Sequence, residues 1–67
     1  MPSLLREVRE REGVTQSALS KGTGVSRSNL RGIEIHEINP TIRTIERIAF
    51  FLDVDMWELW NMTEKDN

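Results

Sequence analysis

Residues 24–34 read GVSRSNLRGIE, and the order of residue types in this stretch decides how the chain folds. Gly24 can take a positive φ at no steric cost, which suits a turn that ends one helix. Ser26 is a preferred cap for the next, which the spacing predicts from about Arg27 to about Ile35. Leu30 and Ile33 then anchor that short helix to a core. Successive side chains on a helix advance by about 100°, so a wheel centred on Leu30 puts Ser28, Arg31, Gly32 and Ile35 on the far side, with Arg27 and Asn29 on its flanks. That far side is predicted to face outward and to carry hydrogen-bonding groups.

The neighbouring punctuation predicts four more helices. Thr15 caps one that carries Ala18 and Leu19, and Ser3 caps an earlier one whose Leu4, Leu5 and Val8 share a face, with Gly13 as a left-handed terminator after Glu12. Beyond the quoted stretch, Asn39-Pro40-Thr41 interrupts the chain. Ile42, Ile45, Ile48, Ala49 and Leu52 then recur at helical spacing as an apolar stripe. Asp55, with Glu58 three residues on, makes a capping-box-like start to a fifth helix. Alternating strand patterns and internal repeats are absent, so the expected class is all-α, with a helix-turn-helix formed by helices 2 and 3.

At 67 residues the chain is read as one domain over 1–62, with a frayed tail over 63–67. A chain this short buries only about 60% of the surface it exposes when unfolded, so modest stability is expected. There is no cysteine, which excludes disulfides and thiolate metal sites. No apolar run approaches the ~20 residues of a membrane span, and the first residues, MPSLLREVRERE, carry charge where a signal peptide would be apolar. A cytoplasmic protein with no membrane partner is expected.

The net charge of −2 hides an uneven distribution. Residues 1–33 hold six basic residues against three acidic ones, a balance of +3, and the remainder holds three against eight, a balance of −5. A polyanion would meet the first half; ordinary solvated charge on small helices accounts for the same numbers. Catalysis finds little material. His36 is the only histidine, so neither a Cys-His pair nor a histidine-rich metal site can be assembled, and Gly22 and Gly24 lack phosphate-loop spacing. No enzyme activity, metal or cofactor is expected.

Two short helices joined by a tight turn, the second opened by a Ser cap, form the arrangement whose second helix enters the major groove of DNA. The side chains have the chemistry to read bases there. Arg can donate two bonds to guanine, Asn can pair with adenine, Ser adapts to base or phosphate, and Ile can touch a thymine methyl. Arg31 lies on this outward face beside Arg27, Ser28 and Asn29.

Through LLREVREREGVTQSALS, GVSRSNLRGIE, NPTIRTIERIAFFL and DMWEL, the chain resembles the lambda-repressor-like, or XRE-type, helix-turn-helix regulators over residues 4 to about 60. The resemblance implies a compact five-helix domain that binds operator DNA, usually as a homodimer on a palindrome, and most often represses transcription. It implies base reading by Arg27, Ser28 and Asn29, a phosphate contact from Gln16, and support of the backbone approach by Ser26. It also implies an ion pair between Arg9 and Glu34. Asn39 and Arg43 are further candidates for phosphate, although an exposed helical Arg at position 43 has an ordinary reading too.

The sequence departs from that pattern in several places. Gly32 stands where many members carry a long polar side chain, so one base contact is expected to be missing. After helix 3 the family commonly has a Gly and then basic residues, whereas this chain reads HEIN at 36–39. Thr23 replaces a usual apolar residue. Ile38, Phe50 and Trp57 are apolar where polar residues are expected. Single exposed hydrophobes are ordinary on a protein surface, and Trp60 with Met56 and Leu59 can complete the core; the competing reading has Phe50 and Trp57, with Trp60 or Met62, form a twofold dimer contact. A second reading makes the chain a partner-binding or antitoxin-like protein-interaction module that keeps the fold and uses this aromatic face.

Overall fold

In a computed structural model, residues 4–59 are described. Four helices run over Leu4–Arg11 (α1), Gln16–Thr23 (α2), Arg27–Glu34 (α3) and Ile42–Leu52 (α4), and a fifth helical segment covers 56–59 (α5). No strand occurs among the described residues. The class is all-α, as the sequence predicts. The Ser3 cap, the tail over 63–67, Trp60 and Met62 lie outside the described residues.

Local chemistry sets the helix ends. Thr15, Ser26 and Thr41 are extended residues whose side-chain oxygens accept the amides of Ala18, Asn29 and Thr44 at 3.0, 3.1 and 3.2 Å, each satisfying a donor that has no partner inside its helix. The C-terminal ends of α1, α3 and α4 share one device. A residue with positive φ follows the helix, and two amides fold back on the last turn: Val14 to Arg9 and Gly13 to Glu10, Glu37 to Gly32 and His36 to Ile33, Val54 to Ala49 and Asp53 to Phe50. Gly13 fills the position after α1, but His36 (φ 66°) and Asp53 (φ 58°) fill the other two. Asp55 caps α5 by accepting the Trp57 amide at 3.0 Å. Glu58 pairs instead with Arg11 at 3.2 Å, tying α5 to α1, where the sequence suggests a capping box.

The core is a single apolar cluster: Leu5 and Val8 from α1, Leu19 from α2, Val25 from the turn, Leu30 and Ile33 from α3, Ile45, Ile48, Ala49 and Leu52 from α4, and Leu59. Helix α2 packs on both α3 and α4, and α1 packs on α3. Each fully buried Leu or Ile contributes on the order of 1.5–3 kcal/mol of transfer free energy. One residue of the predicted apolar stripe is not buried: Ile42, the first residue of α4, is 52% exposed.

Close approach explains Gly22. The Phe51 ring of α4 lies on it, and a Cβ there would stand 2.6 Å from Phe51 Cζ and overlap the adjoining ring carbons. Thr23 also acquires a role that the sequence does not suggest. Its hydroxyl donates to the Leu19 carbonyl at 2.7 Å and accepts the Val25 amide at 3.2 Å, closing the turn between α2 and α3 from inside.

Candidate nucleic-acid interface

The turn fixes how α3 is presented. Gly24, at φ 78°, ends α2 with its amide on the Ser20 carbonyl at 2.9 Å. Val25 then enters the core, and Ser26 starts α3. With Leu30 and Ile33 buried beneath it, α3 leaves Arg27, Ser28, Asn29 and Arg31 exposed along one side. Ser26 is exposed as well, with its hydroxyl engaged by the Asn29 amide.

Behind this surface lies a buried polar clamp. Arg9 donates from Nε to Glu34 Oε2 at 2.7 Å and from Nη2 to Glu34 Oε1 at 3.1 Å, a two-pronged charged contact between α1 and α3. The third arm, Nη1, donates to the Val14 carbonyl at 2.8 Å. Hydrogen bonding to Glu34 raises the Arg9 pKa above its usual value, against the opposing effect of burial. Gln16, half-buried in the first turn of α2, donates from Nε2 to Glu34 Oε1 at 3.1 Å. The clamp therefore joins α1, α2 and α3, and holds Gln16 beside the start of the motif.

Ion pairing changes the meaning of the charge balance. The arginines of α1 are engaged with acids: Arg6 with Glu10, Arg9 with Glu34, and Arg11 with Glu12 and Glu58. Among the described residues, Lys21, Arg27, Arg31, Arg43 and Arg47 form no ion pair. The positive charge left over thus sits on α2, α3 and α4, and α1 adds little to it. Asn39 and Arg43 are exposed in the loop after α3 and the first turn of α4, on different elements from the α3 side chains.

One expectation about α3 is corrected. Gly32 does not lie open on the outward face; it is buried under Ile38. Its carbonyl accepts the amides of Glu37 at 2.8 Å and Ile38 at 3.1 Å, which draws the loop back over the helix. A Cβ at Gly32 would stand 2.8 Å from Ile38 Cγ1 and overlap its terminal methyl. The long side chain absent from position 32 is replaced in space by one from the loop. Only a fold-back over several residues produces this, and helical periodicity carries no signal for it.

The aromatic residues sit apart from this surface in sequence. Phe50 on α4 is 89% exposed and Trp57 on α5 is 63% exposed, while Leu59 is buried and Met56 packs on the core. The described residues contain no group of His, Cys, Asp and Glu able to hold a metal ion, and none of their helices is long and apolar enough to cross a membrane.

Two short helices across a Gly turn, with a capped second helix showing polar side chains outward, define a helix-turn-helix domain of the lambda-repressor-like fold. A family model described as helix-turn-helix matches residues 5–59, and the chain belongs to this XRE-type helix-turn-helix family. Among characterised proteins it is similar to the HTH-type transcriptional regulator SutR of Escherichia coli (strain K12), with 37% identity over 54 residues. That alignment covers 81% of this chain and 30% of SutR, so the chain spans under a third of the length of this relative.

Proposed function

We propose that this protein is a cytoplasmic, sequence-specific regulator that binds double-stranded DNA as a homodimer and represses transcription from an inverted-repeat operator. Helix α3 enters the major groove, with Arg27, Ser28, Asn29 and Arg31 directed at base edges. Gln16, Ser26, Asn39 and Arg43 serve the phosphates on either side. The observation that carries the reading is the outward side of α3, where two arginines without ion-pair partners among the described residues flank a Ser and an Asn. Membership of the helix-turn-helix family and the likeness to a transcriptional regulator support it. The chemistry proposed is recognition, with no catalytic step and no cofactor.

Dimerisation is assigned to Phe50 and Trp57, with Trp60 and Met62 beyond the described residues. A partner-binding module is the second reading, favoured by the same exposed aromatics and by Glu37 after α3, where a phosphate grip would want a basic residue.

Selection of bound duplexes from a random pool, run on wild type and Arg27→Ala, separates the two. Groove reading is expected to enrich an inverted repeat with half-sites about one helical turn apart. Arg27→Ala is then expected to lose about 1–3 kcal/mol, concentrated at one symmetric base position. No enrichment by the wild type would favour the partner-binding module.

A further inference from the structure

The outward side of α3 is not uniform. Its exposed residues, Arg27, Ser28, Asn29 and Arg31, are polar, but beyond its end two apolar residues, Ile35 and Ile38, are exposed beside His36, Glu37 and Asn39. Ile35, just past the end of α3, is 48% exposed, and Ile38, folded back over Gly32, is 39% exposed. On the helical wheel Gly32 lies between Ser28, one turn earlier, and Ile35, one turn later. The side chain that fills this place comes from the loop.

Three features hold Ile38 there. The Gly32 carbonyl accepts both the Glu37 and the Ile38 amides, His36 takes the left-handed conformation that reverses the chain, and the missing Cβ of Gly32 makes room for the Ile38 methyls. Glycine inside a helix is less favourable than alanine. Here that cost accompanies a specific placement.

We infer that Ile38, carried into the reading surface over Gly32 and flanked by Ile35, is a specificity-determining residue that recognises a thymine methyl in the major groove. This rests on the proposed DNA-binding function and deepens it. Among the base edges of the major groove, the thymine C5-methyl is the apolar group, and every other feature is a hydrogen-bond donor or acceptor. An apolar pair continuous with the polar readers on the same side of α3 would desolvate a guanine or cytosine edge without pairing it. The patch is only two side chains wide, small for a protein interface. The apolar contact at the place of Gly32 is thereby supplied by a side chain six residues downstream.

The test uses the operator enriched by wild-type protein, with thymines replaced by deoxyuridine one symmetric pair at a time, a change that removes only the methyl. At one pair, uridine is expected to weaken wild-type binding roughly fourfold per methyl, the equivalent of one methylene-sized burial. Ile38→Ala is expected to bind the thymine duplex with the same deficit and to be indifferent to uridine at that pair. Thermal unfolding checks that Ile38→Ala is folded, and the uridine series on unaltered protein needs no variant. Uridine tolerated at every pair, or an equal uridine penalty in wild type and Ile38→Ala, overturns the inference while leaving Arg27-dependent binding intact. Failure to enrich any duplex removes both the inference and the function on which it rests.

Discussion

His36 occupies a conformation for which its side chain is poorly suited. At φ 66° a residue with a Cβ meets a left-handed penalty of roughly 1–2 kcal/mol, and the resembling family commonly places Gly at this position. Glycine would remove the penalty while adding roughly 0.5–1 kcal/mol of unfolded-state entropy. His36→Gly is therefore expected to raise stability by up to about 1 kcal/mol, read as a higher urea midpoint at unchanged slope. A lower midpoint would mean that the His36 side chain makes a compensating contact. Gly13 and Gly24 announce their left-handed turns by residue type; His36 and Asp53 do not, since nothing about a His or an Asp demands positive φ. The backbone hydrogen bonds that end α3 and α4 impose it. Thr23 is equally illegible, because a hydroxyl that closes a turn looks in sequence like any other small polar residue.

Among the elements, α1, α2 and α3 are joined by the Arg9–Glu34–Gln16 clamp as well as by apolar packing. Removing one member of a buried pair strands the other charge, so Glu34→Ala is expected to cost about 3–5 kcal/mol, a large share of what a domain this size possesses. Replacing both charges, as Arg9→Met with Glu34→Leu, is expected to cost far less, because no charge is then left buried without a partner. Chemical denaturation of the two variants tests this, and similar losses in both would overturn the account. The sign of the pH effect follows from the raised Arg9 pKa. A cation held more tightly in the folded state contributes its full stability below its unfolded pKa and loses it only as pH rises through the folded value, in strongly alkaline solution. The helices themselves are legible, since Thr15, Ser26 and Asp55 are all found as caps. What periodicity misjudges is the width of the buried stripes: it groups Ile42 with the core and opens Gly32 to solvent. Periodicity says which residues share a face, whereas burial depends on which neighbouring element covers it.

For the molecule as a whole, the exposed aromatics suggest an assembly. A ring as open as Phe50 and an indole as open as Trp57 are large anchors for a contact between two copies, and twofold symmetry lets one patch serve both. Trp57→Glu is expected to give a monomer by sedimentation and to weaken operator binding at a given protein concentration, because a monomer holds one half-site. An unchanged mass would remove Trp57 from the interface. The charge distribution makes the same point about scale: six basic residues in the first half suggest a generally positive face, yet the arginines of α1 are engaged by acids. Residue type and spacing within a few positions were enough to set the helices, their caps, the Gly24 turn and the polar half of α3. Packing of the whole chain was needed to lay Ile38 over Gly32, to pair Glu58 with Arg11 and to leave the unspent positive charge on α2, α3 and α4. Those outcomes depend on which distant groups the folded chain brings within reach, and no local pattern encodes that distance.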